Sequence, residues 1–413
     1  MSANAPPAPV DVLHHFSVQD DELCLNGIKV SRLAERIGST PFYAYDRKAL
    51  TARVALLRQN LPKDIHLHYA MKANPMPAIV QHMAGVVDGI DVASGGEMMV
   101  ALDTGTRPER ISFAGPAKTA SEVRRAVAAG ITINLESTRE LELALVAGSD
   151  LAVRPQLAVR VNPTFELKGA GMKMGGAAKQ FGIDAELVPD VCRSIDPKRA
   201  DLIGLHIYSG SQCLKADALS ETQAQTLQLA YELAEKSACR FRTVNIGGGF
   251  GIPYFPGDKP LDLAAVGRQL ETLLQTARRR LQGTQIVIEL GRYLVGEAGV
   301  YVCRVIDRKV SRGQVFLVTD GGLHHHLAAS GNFGQVIRKN YPVVVANHVH
   351  DGKRENSNVV GPLCTPLDLL GASVAVAEAQ VGDLVAVMQS GAYGLSASPQ
   401  DFLSHPHGKE ILV

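Results

Sequence analysis

The sequence lacks an excess of charge of either sign. Lys and Arg number 42 against 41 for Asp and Glu, and the formal net charge is +1 at pH 7. Proteins that bind nucleic acid or an anionic membrane surface usually carry a strong positive field. The balance therefore argues against nucleic acid and membrane as partners, and it favours a small-molecule substrate.

Long apolar runs and paired cysteines are also missing. No stretch approaches the roughly 18–20 apolar residues that a membrane helix needs. The start, MSANAPPAPVDV, lacks the basic and apolar regions of a secretory signal, so we expect a cytoplasmic location. The six cysteines are scattered and form no CxxC pair, which excludes a disulfide scaffold and predicts reduced thiols.

What the sequence does contain, from about residue 40 to residue 290, is an alternation of short β-branched or aromatic runs with longer amphipathic stretches. This alternation predicts strands separated by helices. Eight such strands would close a (β/α)8 barrel, although an open, doubly wound sheet fits the same alternation. The predicted strands are HLHYA (66–70), GIDVA (89–93), RISFAG (110–115), ITINLE (131–136), LAVRVN (157–162), LIGLHIY (202–208), FRTVNIG (241–247) and IVIEL (286–290).

After Gly291 the pattern changes to strand-like runs and turns, which predicts a separate β domain. A chain of 413 residues also exceeds the size of one ordinary core. The fold class is therefore α/β, a (β/α)8 barrel plus a C-terminal β domain. We predict an N-terminal segment over 1–39 whose hairpin ELCLNGIKV joins the sheet of the β domain, the barrel over 40–291, and the β domain over 292–413. The Gly- and Lys-rich stretch 165–182 predicts a mobile loop at the barrel mouth.

Two short motifs suggest chemistry on their own. Lys72 follows a predicted strand, where an amine can be partly desolvated and become nucleophilic, but taken alone the position favours a solvated loop lysine. Gly247, Gly248 and Gly249 follow another strand and would let backbone N–H groups approach a phosphate, or they form a tight turn. Neither motif is a Walker loop or a dinucleotide fingerprint.

Six motifs in a fixed order resemble those of the diaminopimelate and ornithine decarboxylase group of pyridoxal-phosphate enzymes. They are YAMKANP (69–75), GLHIYSGSQ (204–212), NIGGGFG (245–251), ELGR (289–292), GPLC (361–364) and SGAYG (390–394), and the ending HPHGKEILV is similar as well. The resemblance extends from about residue 40 to the C-terminus. It implies an alanine-racemase-like fold, pyridoxal 5'-phosphate as cofactor and the decarboxylation of an amino acid. Leu290 stands at the position where the group's EPGR motif has a proline.

The resemblance also implies roles for the matched residues. Lys72 would bind the cofactor covalently and His206 would stack on its ring. Glu289 would pair with the pyridine nitrogen, where alanine racemases have an arginine, so it favours decarboxylation over racemisation. The residues implied to hold the phosphate are Ser209, Gly248, Gly249, Arg292 and Tyr393. Those implied to orient the ring and His206 are Asp91, Glu97 and Arg160, for which ordinary salt links are the alternative.

Cys364 matches a cysteine that, in relatives, enters the active site from the partner subunit and helps to protonate the substrate carbon. The resemblance therefore implies a homodimer with shared active sites, and catalysis by Lys72, His206 and Cys364. A noncatalytic pyridoxal-phosphate-binding protein is a competing hypothesis. Such a protein would be expected to lose Lys72 or Cys364, and both are present.

The resemblance is weakest at the substrate side. Diaminopimelate decarboxylases follow the cysteine with Glu-Ser-Gly-Asp, whereas here Thr365 takes the place of the glutamate that binds the distal amine. Ala328 stands where those enzymes grip the distal carboxylate with an arginine. This favours a modified or conjugated amino acid, as in the siderophore, carrier-protein and exosortase-associated branch, over diaminopimelate decarboxylation to lysine. The implied substrate-binding residues are Arg292, Thr365, Asp368 and Tyr393.

Two further features admit two interpretations each. The run His324, His325, His326 suggests a metal, but adjacent side chains diverge and no cluster accompanies them, so we expect no metal and favour lining of the substrate pocket. Arg338 and Lys339 would bind a remote anionic part of a large substrate, or they are ordinary solvated charges.

Overall fold

The structure, a computed structural model, describes residues 13, 15–255, 257–335, 337–350 and 353–413, and of residue 173 it describes the backbone. The chain divides into two compact units. The barrel unit comprises residues 53–252 and 260–293. The β unit comprises the chain up to residue 52, residues 253–259 and residues 294–413.

Eight parallel strands form the barrel, and the last of them pairs with the first, so the sheet is closed. The closure confirms the predicted (β/α)8 barrel and rules out an open, doubly wound sheet. Each predicted strand coincides with an observed one to within a few residues. The strands are β1 (Ile65–Ala70), β2 (Gly89–Val92), β3 (Ile111–Phe113), β4 (Thr132–Leu135), β5 (Gln156–Asn162), β6 (Asp201–Ile207), β7 (Thr243–Gly248) and β8 (Gln285–Leu290).

Polar caps begin several of the helices that follow these strands. Ser94 and Ser137 each accept a backbone N–H at a helix start, and Thr119 with Glu122 forms a reciprocal capping box. Such caps end the connecting loop at a defined residue, which positions the loop beside the carboxyl end of its strand. From residue 47 onward, the helices of the described chain are Arg47–Asn60, Pro77–Ala84, Gly95–Asp103, Ala120–Ala129, Thr138–Leu151, Val188–Ser194, Ala216–Ser237, Leu263–Arg280 and the short Arg292–Val295.

The β unit contains a mixed eight-stranded sheet, as the change of pattern after Gly291 predicted. Six of its strands lie in the spatial order Val343–Val345, Leu384–Val387, Gly299–Ser311, Gln314–Thr319, Arg354–Val360 and Leu369–Ala377. The other two are Phe42–Tyr45, which pairs with Gly299–Ser311, and Lys409–Leu412, which pairs with Phe42–Tyr45. The strand Arg354–Val360 has the polar sequence RENSNVV, which contains none of the apolar runs typical of a strand.

The N-terminal hairpin joins the β unit in a different way from the one predicted. It forms its own sheet from Ser17–Gln19, Glu22–Leu25 and Ile28–Lys29, and the helix Val30–Ile37 follows it. Its apolar side chains pack into the core of the β unit. The segment that adds a strand to the large sheet is instead Phe42–Tyr45, which the predicted boundary at residue 40 had assigned to the barrel.

The stretch 165–182 is not wholly a loop. Its residues Met172–Lys173 pair antiparallel with Gly210–Ser211, and Ile183–Asp184 then adds parallel to β5. Among the described residues, no helix combines the length and apolar character that crossing a membrane requires.

Candidate active site at the carboxyl ends of the barrel strands

Lys72 lies in a short 3-10 turn, Met71–Ala73, directly after β1, and its side chain is half-buried. Its Nζ lies 5.4 Å from the centroid of the Tyr208 ring, a distance at which a cation and an aromatic face attract each other. Gly291 passes so close to this turn that a Cβ there would lie 2.9 Å from the Ala70 carbonyl oxygen. The segment that leads to Arg292 therefore lies against the segment that carries Lys72.

His206 and Glu289 form a buried pair on β6 and β8. His206 Nε2 lies 2.9 Å from Glu289 Oε2, and Asn245 Nδ2 donates to the same oxygen at 3.3 Å. Burial by itself raises the pKa of Glu289, but the hydrogen bond and charge of His206, with the charges of Lys72 and Arg160, outweigh it and hold that pKa well below its usual range. Glu289 is therefore an anion in the barrel interior.

Asp91 lies on β2 and anchors a polar chain across the first four strands. Its Oδ1 accepts from Ser112 Oγ at 2.5 Å and lies 3.1 Å from His68 Nδ1, while Asn134 Nδ2 donates to Ser112 Oγ at 3.1 Å. Although burial lowers the pKa of His68, the charge and hydrogen bond of Asp91, with the charge of Glu289, raise it overall. The alternating sequence HLHYA predicts that His68 faces the barrel interior, although the sequence motifs give this residue no role.

Arg160 on β5 is buried and ion-paired. Its Nη1 donates to Glu136 Oε1 at 2.6 Å, and its guanidinium carbon lies 4.9 Å from the centroid of the Phe181 ring. Glu136 also accepts the backbone N–H groups of Gly115 and Gly182. Burial raises the pKa of Glu136, but the Arg160 charge and these hydrogen bonds lower it below its usual value. The pair ties three loops at the barrel mouth together.

Two more titratable groups lie in the barrel unit. Glu97 accepts the Ala93 N–H at 2.7 Å, and burial raises its pKa against the opposing effects of that bond and of the Lys72 charge. Lys118, which sequence reasoning missed, is buried and donates to Glu140 Oε2 at 2.9 Å and to two backbone carbonyls. Burial lowers the pKa of Lys118 despite Glu140.

The glycine motif after β7 lies where the backbone packs closely against neighbouring segments of the barrel. Gly248 pairs with Glu289 in the ladder, and a side chain there would collide with the Glu289 carbonyl oxygen. Gly249 has φ of +79°, in the left-handed region that favours glycine. Glycine is therefore required here because the backbone packs closely against Glu289 and, at Gly249, against the Gly210 carbonyl oxygen.

The barrel residues fit pyridoxal phosphate. Asp91 Oδ2, His206 Nδ1 and Ser209 Oγ are buried and find no hydrogen-bond partner within the described part of the chain. Buried polar atoms without partners are rare, and they mark places where a ligand supplies the missing bonds. A hydroxyl beside a glycine cradle suits a phosphate, and an anionic Glu289 suits a protonated pyridine nitrogen.

Cys364 begins the CTPLD loop in the β unit, and its side chain is exposed there. Thr365 is partly exposed, and its Oγ1 accepts the Leu367 N–H at 3.3 Å. Asp368, for which we predicted substrate binding, accepts hydrogen bonds from backbone groups of the β unit. It is 3% exposed, and its two oxygens accept the N–H groups of Leu323 at 2.6 Å and Leu363 at 2.7 Å. Asp368 therefore fastens two loops of its own unit together.

The histidine run, for which we predicted lining of the substrate pocket, lies in the β unit. All three side chains are buried. His325 Nε2 lies 2.8 Å from the Pro406 carbonyl oxygen, and His326 Nε2 lies 2.8 Å from Ser390 Oγ. Burial lowers the pKa of His324 and of His326 to about 3, so both rings are neutral. Among the described residues, no group of three or more His, Cys, Asp or Glu side chains is arranged to hold a metal.

Two further predicted positions lie in the β unit. Tyr393 is partly exposed, with its ring centroid 6.2 Å from that of Phe333. Ala328 is buried at 7% exposure, so this position offers no polar group.

Comparison with known proteins agrees with this geometry. Residues 47–296 match the family described as pyridoxal-dependent decarboxylase, pyridoxal binding domain. The chain is 39% identical over 396 residues to the L-glutamyl-(BtrI acyl-carrier protein) decarboxylase of Niallia circulans, covering 94% of this chain and 92% of that protein. It is 30% identical over 405 residues to the diaminopimelate decarboxylase of Aquifex aeolicus, covering 97% and 92%.

A solved structure supports the fold. The crystal structure of diaminopimelate decarboxylase from M. jannaschii in complex with L-lysine matches with a TM-score of 0.88 and 22% sequence identity, covering 97% of this chain and 93% of that one.

Proposed function

Because the chain belongs to the pyridoxal-dependent decarboxylase family, we propose that it removes the α-carboxylate of an amino acid whose side chain is joined to a carrier or another larger group. The observation that carries this proposal is the 39% identity, over 94% of the chain, to a decarboxylase of carrier-protein-linked glutamate. Decarboxylation consumes the α-carboxylate, so the link to the carrier has to run through the side chain.

The β unit supports a conjugated substrate. A free diaminopimelate has a distal amine and a distal carboxylate, and a buried charged group without a partner costs several kcal/mol. Thr365 can offer one modest hydrogen bond, Ala328 is apolar, and the carboxylate of Asp368 is occupied by backbone N–H groups. A side chain whose charge is masked by conjugation needs none of these contacts.

The barrel residues supply the cofactor site in this proposal. Lys72 would bind pyridoxal phosphate covalently, and Ser209, Gly248, Gly249, Arg292 and Tyr393 would hold its phosphate. When bound, the cofactor supplies an electron sink for the electron pair that loss of CO2 leaves on the substrate. Glu289 stays ionised and holds a proton at the pyridine nitrogen, which strengthens that sink. His206 would pack on the cofactor ring, and Asp91 and Arg160 would keep the surrounding side chains in place.

Cys364 would deliver the proton that replaces CO2, and it would do so across a homodimer interface. Its exposure in the single chain supports this role, because a thiol that acts in a neighbouring subunit has to face outward. Two shared active sites per homodimer follow from the two-fold symmetry of such a pair. The proposed location is the cytoplasm, where the six unbridged thiols stay reduced.

Diaminopimelate decarboxylation is the second candidate, and the 30% identity to the Aquifex aeolicus enzyme favours it. The noncatalytic hypothesis is set aside, because the chain belongs to a family of decarboxylases.

The deciding experiment measures CO2 release and identifies the product by mass spectrometry. The substrates are meso-diaminopimelate, free L-glutamate and S-(γ-L-glutamyl)-4'-phosphopantetheine, each supplied to the holoenzyme. We expect the highest kcat/KM for the thioester. A higher kcat/KM for meso-diaminopimelate than for the conjugate would establish the second candidate instead.

A further inference from the structure

We infer that Arg338 binds an oxyanion in the conjugated part of the substrate, a phosphate in the case of a phosphopantetheine-linked amino acid. The inference rests on the proposed function and names the chemical feature that the enzyme recognises beyond the amino acid. It starts from the contacts of Arg338 in the β unit.

The guanidinium of Arg338 is partly buried without a compensating charge. Nη2 donates to the Leu369 carbonyl oxygen at 2.6 Å, and Nε is buried with no acceptor among the residues the structure describes. No carboxylate in that described part of the chain comes within 4.0 Å of it. Arg308 in the same unit is also partly buried, and it binds both carboxylate oxygens of Glu355. Partial burial of an uncompensated cation is costly, so an anionic ligand would be strongly favoured.

The loop that carries Arg338 is held in place. Asn340 exchanges two hydrogen bonds with Ala372, at 2.7 and 2.9 Å, and Gln335 Oε1 accepts the Lys339 N–H at 2.7 Å. Gly331 lies against the aliphatic stem of Arg338, where a Cβ would come within 3.2 Å of Arg338 Cγ. The guanidinium is therefore positioned before any ligand arrives, which reduces the entropy lost on binding.

The surroundings of Arg338 suit an anion on a partly apolar chain. Lys339 adds a second cation, with Nζ 5.3 Å from the centroid of the Phe255 ring. Phe333, Ile337 and Leu367 are exposed at 39%, 79% and 58%, and Asn332 Nδ2 donates to the Leu367 carbonyl at 3.5 Å. Leu369, to which Arg338 binds, lies five positions after Cys364 in sequence. A planar guanidinium can bind a phosphate through two parallel hydrogen bonds, which a lysine cannot do.

The test compares two substrates that differ by the phosphate alone, S-(γ-L-glutamyl)-4'-phosphopantetheine and S-(γ-L-glutamyl)-pantetheine. We expect the wild-type holoenzyme to have a KM about ten-fold lower for the phosphorylated thioester, since hydrogen bonds to charged groups are among the strongest. Arg338→Gln should remove this preference and Arg338→Lys should keep part of it. Arg304→Gln is the matched control, because Arg304 also donates to a backbone carbonyl, that of Gly382, and its loss should leave the preference intact.

A binding measurement with ligands that lack the amino acid tests phosphate recognition separately from turnover. Calorimetry on the holoenzyme should show tighter binding of 4'-phosphopantetheine than of pantetheine, and equal binding in Arg338→Gln. Equal KM values for the two thioesters in the wild type would overturn the inference and leave the proposed function standing. Inert thioesters together with turnover of free diaminopimelate would overturn both. An Arg338→Gln variant that keeps the phosphate preference but weakens dimerisation would assign Arg338 to the subunit interface instead.

Discussion

The imidazole of His206 and the carboxylate of Glu289 lie 2.9 Å apart in the barrel interior, and both side chains are less than 7% exposed. An ionised carboxylate at this depth is stable because cations surround it, as the lowered pKa of Glu289 reflects. The barrel interior therefore holds a fixed negative charge, which in the proposed function would face the pyridine nitrogen of the cofactor.

Glu289→Gln should fold and bind cofactor but lose turnover by about 100-fold or more, since a neutral amide does not stabilise a protonated ring nitrogen. Cofactor content, read from the absorbance spectrum, serves as the control for binding. Turnover equal to that of the wild type would refute the role of this carboxylate.

Borohydride treatment of the holoenzyme should fix the cofactor on Lys72, and peptide mapping by mass spectrometry should locate it there. Lys118 is the informative competitor, because it is also a lysine of the barrel unit but has its Nζ occupied by Glu140 and two carbonyls. Reduced adduct on Lys118, or on any other lysine, would contradict the assignment.

Mixing inactive Lys72→Ala with inactive Cys364→Ala should restore about a quarter of the wild-type activity per total site. Half of the randomly formed dimers contain one chain of each kind, and each of these holds one intact site if the sites are shared. Activity is measured after incubation under conditions that exchange subunits, and each variant alone is the control. A mixture that stays inactive after proven exchange would show that Cys364 does not act across the interface.

His68 and His66, two residues apart on β1, should affect stability with opposite pH dependence. The pKa of His68 is raised on folding. The stability that protonated His68 contributes is therefore fully present below the pKa of a free histidine, about 6.5, and it is lost as pH rises through the pKa of the folded state. The pKa of His66 is lowered, chiefly by burial, so its effect has the opposite sign. We expect the loss of unfolding free energy in His68→Asn to shrink between pH 6 and pH 9.

Urea denaturation at several pH values measures this difference, with His66→Asn as the matched control. If the destabilisation by His68→Asn is the same at pH 6 and pH 9, the pKa of His68 is not raised on folding.

Local patterns in the sequence determined the barrel. Each strand is a short apolar run whose period and flanking turns are encoded within a few residues, so all eight strands and their order followed from the sequence. The motif residues that converge in the barrel unit, among them Lys72, His206 and Glu289, follow such strands or end them. Their convergence is a property of parallel strands, whose carboxyl ends meet at one edge.

The tertiary structure decided what those patterns do not contain. From the sequence we predicted that Phe42–Tyr45 belongs to the barrel, but its pairing with Gly299–Ser311 places it in the β unit. Asp368 accepts backbone N–H groups from two separate loops, and the sequence of its own loop does not show this. His68 and Asp91, 23 residues apart, become a pair because neighbouring strands bring them together. In each case the deciding contact joins residues distant in sequence, and the free energy of such contacts depends on burial and distance, which the sequence alone does not specify.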